Sequence, residues 1–175
     1  KEHIYIVAGQ RHREACLEAL PDLDPQNLLL EPFGRNTAPA IGLAAAVLSA
    51  RDPDGIMAVL PADHFVGQPE ALLEALQQTA DVASRGHIVT LGINPTHPET
   101  GFGYIQRGPV TEKNNVFAVQ SFKEKPDLET AKAYLADGGY YWNAGIFVMK
   151  ADTIYAEIER QLPTTYAALE PVRQA

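Results

Sequence analysis

The nine residues Ile56-Met57-Ala58-Val59-Leu60-Pro61-Ala62-Asp63-His64 decide how the rest of the chain is read. Five apolar residues in a row, then Pro-Ala, then a lone carboxylate describe a buried strand that stops and presents an acid. A short apolar run bounded by turn residues fits a strand covered on both faces, as in a parallel sheet. In open α/β sheets ligands bind beyond the carboxyl ends of the strands, which is where Asp63 stands. Two readings follow. Asp63 meets a ligand, through a metal, or it caps a turn while His64 is solvated.

Working outward, residues 4–8 read as a short strand ended by Gly9. Residues 11–20 read as an amphipathic helix with Cys16, Leu17 and Leu20 on one face, closed by Pro21. Leu28-Leu29-Leu30 is a second buried strand running into Glu31-Pro32. After a polar turn, residues 37–48 are apolar almost all round and predict a buried helix, with Asn36 or Thr37 as N-cap and Pro39 in the first turn. Beyond Asp63, Pro69 opens a helix striped by Leu72, Leu73, Leu76, Ala80 and Ala83 and ended by Gly86, and residues 88–93 form a β-branched strand. Strands alternating with helices up to residue 93 predict βα units and a mostly parallel central sheet.

After residue 93 the pattern changes. Residues 94–101 form a proline-stiffened loop, and residues 102–107 and 116–123 read as strands separated by a polar turn at 111–115. Pro126-Asp127 opens a helix with Leu128, Ala131 and Leu135 inward, stopped by Gly138-Gly139. Residues 140–150 are strongly β-prone but broken by Asn143-Ala144-Gly145. Asp152 is placed to cap a last helix, with Ile154, Ile158 and Leu162 inward and Pro163 as its stop. The expectation is one α/β domain over 1–175, in which residues 94–175 are an α+β elaboration of the half formed by 1–93.

Composition narrows the function. At 175 residues, with 46% apolar and 21% charged residues, the chain is long enough for a substantial core. A net charge of −8 and the lack of any basic run argue against a nucleic-acid or anionic-membrane surface. Phosphate groups would have to be met by a few local cations, main-chain N–H groups or a metal. The single cysteine, Cys16, excludes an internal disulfide and is expected in the core. With no run of eighteen apolar residues and no signal peptide, a cytoplasmic protein is the default.

Five polar stretches interrupt the pattern: residues 31–37, Asp63, residues 101–104, Glu124-Lys125 and Asn143-Ala144-Gly145. Glu124 and Lys125 end a strand side by side, so they either serve two ligand groups or form a solvated edge. Gly101-Phe102-Gly103-Tyr104 permits close main-chain approach to a ligand, or a bend; no helix follows, so it is not a dinucleotide fingerprint. Asn143 lies in a hydrophobic stretch, where an amide needs its hydrogen bonds met, by a sugar hydroxyl or by a pinned bulge.

Taken in order, these stretches resemble a known family. Glu31-Pro-Phe-Gly-Arg-Asn-Thr-Ala-Pro-Ala-Ile41, Leu60-Pro-Ala-Asp-His64, Thr90-Leu-Gly-Ile93, Pro98-Glu-Thr-Gly-Phe-Gly-Tyr-Ile105, Phe122-Lys-Glu-Lys-Pro126 and Trp142-Asn-Ala-Gly-Ile-Phe147 look like the mannose-1-phosphate guanylyltransferases, or GDP-mannose pyrophosphorylases, among the bacterial sugar nucleotidyltransferases. The resemblance spans roughly residues 3–165. It implies a Rossmann-like nucleotidyltransferase fold, with 1–93 as the nucleotide-binding half and 94–175 as the sugar-phosphate-binding half. It implies a reaction in which GTP and mannose 1-phosphate give GDP-mannose and pyrophosphate, helped by Mg²⁺. By the same resemblance Asp63 is a Mg²⁺ ligand and Lys125 holds the sugar phosphate. Glu124 then accepts sugar hydroxyls, while Gly103 and Asn143 complete the pocket. Glu31, with Asn36 and Thr37, is expected to read guanine, because a carboxylate can accept both N1–H and the N2 amino group. Arg35 is a phosphate or base contact or an outward salt-bridge residue.

Two departures from the family pattern bear on activity. Its glycine-rich phosphate loop has no counterpart here, where Gly9 is the only early glycine, and a second metal-binding Asp after Asn143 is absent. The expectation is that this stretch alone lacks measurable pyrophosphorylase activity. Another nucleotide-sugar pyrophosphorylase, or a non-catalytic sugar-phosphate-binding paralogue, are the alternatives. No nucleic-acid or membrane partner is expected, and self-association is compatible with the sequence.

Overall fold

Two short parallel strands open the chain in the computed structural model, which describes residues 2–34, 36–111 and 115–174. β1 (Ile6–Gly9) pairs with β2 (Leu28–Glu31) in the register Ile6↔Leu28 to Gly9↔Glu31. Parallel neighbours need a crossover, and α1 (Arg13–Ala19) lies within it. The chain as a whole divides into two compact units. Unit 1 comprises Lys1–Ala58, Leu76–Ile88 and Val148–Ala175, and unit 2 comprises Val59–Ala75 and Val89–Phe147.

In unit 1, α2 (Thr37–Arg51) is buried through Ala44, Ala45 and Ala46, as its apolar circumference requires. It packs against α5 (Ala151–Gln161) and α6 (Pro163–Gln174). Gly42 permits that approach: a Cβ there would sit 2.8 Å from Leu169 Cδ1 and 2.9 Å from Ile158 Cδ1. Asn36 is the N-cap residue by backbone position, but its side chain makes no capping hydrogen bond. α1 buries no residue and leaves Cys16 only half-buried, so the expected core cysteine is not one. At two turns, the helix is too short to sink a full apolar stripe.

Two further expectations in unit 1 need correction. Lys150, not Asp152, is the N-cap of α5, and Asp152 falls in its first turn. Pro163 does end α5, yet it also starts α6, where a missing N–H at the first position removes nothing the helix uses.

β3 (Ile56–Val59) is shorter than the apolar run suggests, and its exposure alternates, with Met57 buried and Ile56 42% exposed. It is therefore not covered on both faces among the described residues. The larger sheet has the order β3-β7-β5-β6, with β4 (Val89–Ile93) also paired to β7 (Tyr140–Lys150). β3 ends that order, which explains the exposure.

Within unit 2, β5 (Tyr104–Val110) is antiparallel both to β6 (Phe117–Lys123) and to β7. The α/β class stands, but the mostly parallel sheet does not: parallel pairing is described for β1 and β2, and these pairs are antiparallel. The reason is connection length, since the few residues between β5 and β6 can close only an antiparallel hairpin. Residues 112–114 of that turn lie outside the described residues. α4 (Leu128–Asp137) is capped by Asp127, whose Oδ1 accepts from Thr130 N at 2.8 Å, and is stopped by left-handed Gly138 at φ 73°. Its Ala131 packs with Tyr104 and Trp142, with Tyr134 and Tyr140 against them.

Candidate functional site

Register brings three of the expected sugar-site residues into one row. Tyr104 lies opposite Trp142 on one side and opposite Lys123 on the other. One step earlier along β5, the Asn143 N–H donates to the Gly103 carbonyl at 2.8 Å. On the other flank, a Cβ added to Gly103 would stand 3.0 Å from Glu124 Oε2 and 2.8 Å from Phe122 Cζ. Gly103 is thus a notch between Asn143 and Glu124. Tyr104 points into the core with α4, so Gly103 presents the opposite face of the strand.

Lys125 follows at once, with Nζ 3.6 Å from Glu124 Oε1; both side chains are more than half exposed. An exposed pair of this kind stabilises the fold little and leaves both charges open to a ligand. Lys125 also sits at φ 41°, a left-handed backbone that costs a side-chain-bearing residue about 1–2 kcal/mol. Backbone strain of this sort concentrates at ligand-binding positions.

The loop before these strands is held by its own residues. Glu99 Oε1 accepts the Gly101 N–H at 2.8 Å, and the Glu99 carbonyl accepts the Tyr104 hydroxyl at 2.8 Å. The Gly101 hydrogen bond first, and the contact with His97 next, hold the Glu99 carboxyl below the usual carboxylate range. His97 and Phe102 stand edge-on to Trp142 at 4.9 and 5.4 Å. Trp142 Nε1 is buried and has no hydrogen-bond partner among the described residues.

Asp63 lies in the exposed loop beyond β3, and its carboxylate makes no hydrogen bond or ion pair among the described residues. The reading in which it merely caps a turn is therefore not realised. The same loop reaches the break in β7: Pro61 Cγ would be 3.1 Å from a Cβ on Gly145, whose φ of 67° suits glycine. His64, Phe65, Trp142, Asn143 and Ala144 line one cavity of about 600 Å³ with residues of α3 (Pro69–Ala83) and β4. Asp63 and Asn143 thus belong to one loop-and-strand neighbourhood in unit 2.

No group of three or more His, Cys, Asp or Glu side chains is arranged to hold a metal among the described residues. That suits Mg²⁺ shared with phosphates, which takes one or two carboxylates and otherwise uses substrate oxygens and water. An unpaired, solvent-facing Asp63 fits such an ion as its protein ligand.

Glu31, Asn36 and Thr37 belong to unit 1. Glu31 closes β2 opposite Gly9 and is half-buried, and Asn36 and Thr37 begin α2 with no side-chain hydrogen bond among the described residues. Between them the Phe33 ring is 77% exposed. Arg35 lies outside the described residues. Sequence reasoning missed Thr90, whose hydroxyl is 3.0 Å from Asn143 Oδ1; inside a strand, a threonine signals only β-propensity. No helix of the described residues is long and apolar enough to cross a membrane.

Comparison with known proteins adds independent information. The family model for nucleotidyl transferases matches residues 1–174. The mannose-1-phosphate guanylyltransferase RfbM of Salmonella typhimurium is 42% identical over 97% of this chain and 36% of its own length. The xanthan biosynthesis protein XanB of Xanthomonas campestris is 44% identical over 90% of this chain and 34% of its own length. The chain therefore spans about a third of such relatives. Among solved structures, a mannose-1-phosphate geranyltransferase from Thermus thermophilus superposes with a TM-score of 0.84 at 37% identity, covering 97% of this chain and 49% of that one. A mannose-6-phosphate isomerase from Helicobacter pylori gives 0.83 at 32% identity, covering 99% and 65%.

Proposed function

Because this chain belongs to the nucleotidyl transferase family, we propose that it serves nucleotidyl transfer from GTP to mannose 1-phosphate, forming GDP-mannose and pyrophosphate. The observation that carries the reading is the row Asn143–Gly103–Glu124 with Lys125 beside it, a hydroxyl-binding notch flanked by one cation. The sugar named for relatives such as RfbM supports the same choice.

In this reaction a phosphate oxygen of mannose 1-phosphate attacks the α-phosphorus of GTP in line. The new P–O bond forms as the bond to the β-phosphate oxygen breaks, and pyrophosphate leaves with that electron pair. Such transfers are accelerated mainly by positioning and by neutralising charge, so no covalent nucleophile is needed from the protein. Lys125 neutralises the sugar phosphate and fixes its approach. Glu124 accepts hydroxyl protons of the ring, Asn143 bonds a neighbouring ring oxygen, and Gly103 lets the ring lie against the main chain. Asp63 is the residue that would hold Mg²⁺, and the bound ion would offset charge on the phosphates it bridges. Glu31 accepts guanine N1–H and N2–H, with Asn36 and Thr37 completing the base contact.

The test uses Glu31→Gln in the full-length protein, assayed for pyrophosphate release with mannose 1-phosphate and GTP, ATP or UTP. Converting the carboxylate to an amide removes one acceptor from guanine, so the kcat/KM preference for GTP falls roughly 10–100-fold. An unchanged preference refutes the guanine assignment. Turnover of glucose 1-phosphate or UTP in preference to mannose 1-phosphate and GTP would move the reading to another nucleotide-sugar pyrophosphorylase.

A further inference from the structure

The two ends of the Asn143 amide do different work: the oxygen only accepts hydrogen bonds and the nitrogen only donates them. Which end faces a ligand is decided by the protein atoms behind it. The Gly145 main-chain N–H points at one end from 3.2 Å. A donor facing another donor is repelled, so that end is Oδ1. The Gly145 N–H is itself fixed, because it belongs to a left-handed residue with Pro61 packed against it.

Thr90 completes the arrangement from β4. Its Oγ1 lies 3.0 Å from Asn143 Oδ1 and 3.1 Å from the Ile146 carbonyl oxygen. Both neighbours are acceptors and the hydroxyl has one proton, so Thr90 acts on Asn143 as a donor. With two donors on Oδ1, the amide is held on both sides of its plane. Asn143 Nδ2 has no partner among the described residues.

We infer that Thr90 is a positioning residue which, with the Gly145 N–H, locks the Asn143 amide so that Nδ2 faces the ligand as a donor to a sugar oxygen. This rests on the reading of Asn143 as a sugar contact. It assigns direction to that contact: the site meets a lone pair at this point, not a proton.

Three variants of the full-length protein test it. Thr90→Val keeps the shape and loses the donor, Thr90→Ala loses both without overfilling the strand, and Thr90→Ser keeps the donor. The two donor-less variants should raise KM for mannose 1-phosphate roughly tenfold, with KM for GTP and kcat changed less than about twofold. Thr90→Ser should restore most of the affinity. Added to Asn143→Ala, Thr90→Val should do nothing more. An unchanged KM in both donor-less variants, equal damage from serine and valine, or full additivity with Asn143→Ala would each overturn the assignment. Absence of GDP-mannose formation by the unmutated protein would instead sink the functional reading. The positioning role is then read by NMR from the order parameter of the Asn143 side-chain amide, which must fall in Thr90→Val; an unchanged value refutes it.

Discussion

At the scale of single residues, Lys125 combines a charge the chemistry needs with a backbone that the residue type resists. Its φ of 41° would be relaxed in a glycine, while its ammonium group is the cation nearest the Gly103 notch through Glu124. Fold and function therefore pull in opposite directions, and substitution separates them. Lys125→Ala keeps the strained backbone, and Lys125→Gly relieves it. After allowing for the extra freedom glycine gains when unfolded, Lys125→Gly should be more stable than Lys125→Ala by about 0.5–1 kcal/mol in denaturant melts. Both should weaken mannose 1-phosphate binding by roughly 10–100-fold, because both lose the charged donor. Equal stabilities would show that the left-handed backbone stores no strain; unchanged binding would remove Lys125 from the site. Gly103 has the opposite character. It is needed for what it lacks, since any Cβ would press on Phe122 and on the Glu124 carboxylate.

At the scale of elements, the pairing of α5 with α6 rests on one buried polar contact. The Tyr155 hydroxyl donates to Glu170 Oε2 at 3.0 Å, and the Arg173 guanidinium lies 4.7 Å over the same ring. Burial first, then the bond to Glu170, push the Tyr155 hydroxyl up to about 12 from an ordinary value of 10.0. Its folded pKa is thus raised above its unfolded one. The contribution is whole below pH 10 and is lost as pH climbs toward about 12, where the unfolded chain ionises first. Tyr155→Phe should cost about 1 kcal/mol near pH 8 by loss of the hydrogen bond, and the gap to the unmutated protein should narrow by pH 11 in urea titrations. A constant gap would mean that Tyr155 does not titrate with unfolding. These elements also show what was legible in the sequence. Helices announced themselves where a cap or stop residue acts locally, as Pro69, Asp127 and Gly138 do. α6 was hidden because Pro163 reads as an end from one side and a beginning from the other. The antiparallel pairing of β5 with β7 was not legible, since register is a property of partners distant in sequence. Candidate site residues could be picked out as polar breaks in apolar patterns. Thr90 breaks no pattern, and only its distance to Asn143 reveals it.

At the scale of the whole molecule, an acidic chain is asked to bind anions. With 14 Lys and Arg against 22 Asp and Glu, the formal charge is −8, so a sugar phosphate approaching from afar is repelled on average. Binding then depends on local cations within about one Debye length, roughly 10 Å at 0.1 M salt. The two contributions carry opposite signs in their response to ionic strength. Screening weakens the attraction of Lys125 for the phosphate and also weakens the repulsion from the remaining charge. In the unmutated protein the short-range attraction should prevail, and affinity for mannose 1-phosphate should fall a few-fold between about 0.02 and 0.5 M KCl. In Lys125→Met the attraction is gone while the repulsion grows by one charge. Its weaker affinity should therefore stay level or rise over the same range. Calorimetric titration at three salt concentrations resolves the two slopes. Parallel slopes for both proteins would show that the phosphate sits outside the reach of Lys125, and that some other cation of the chain draws it in.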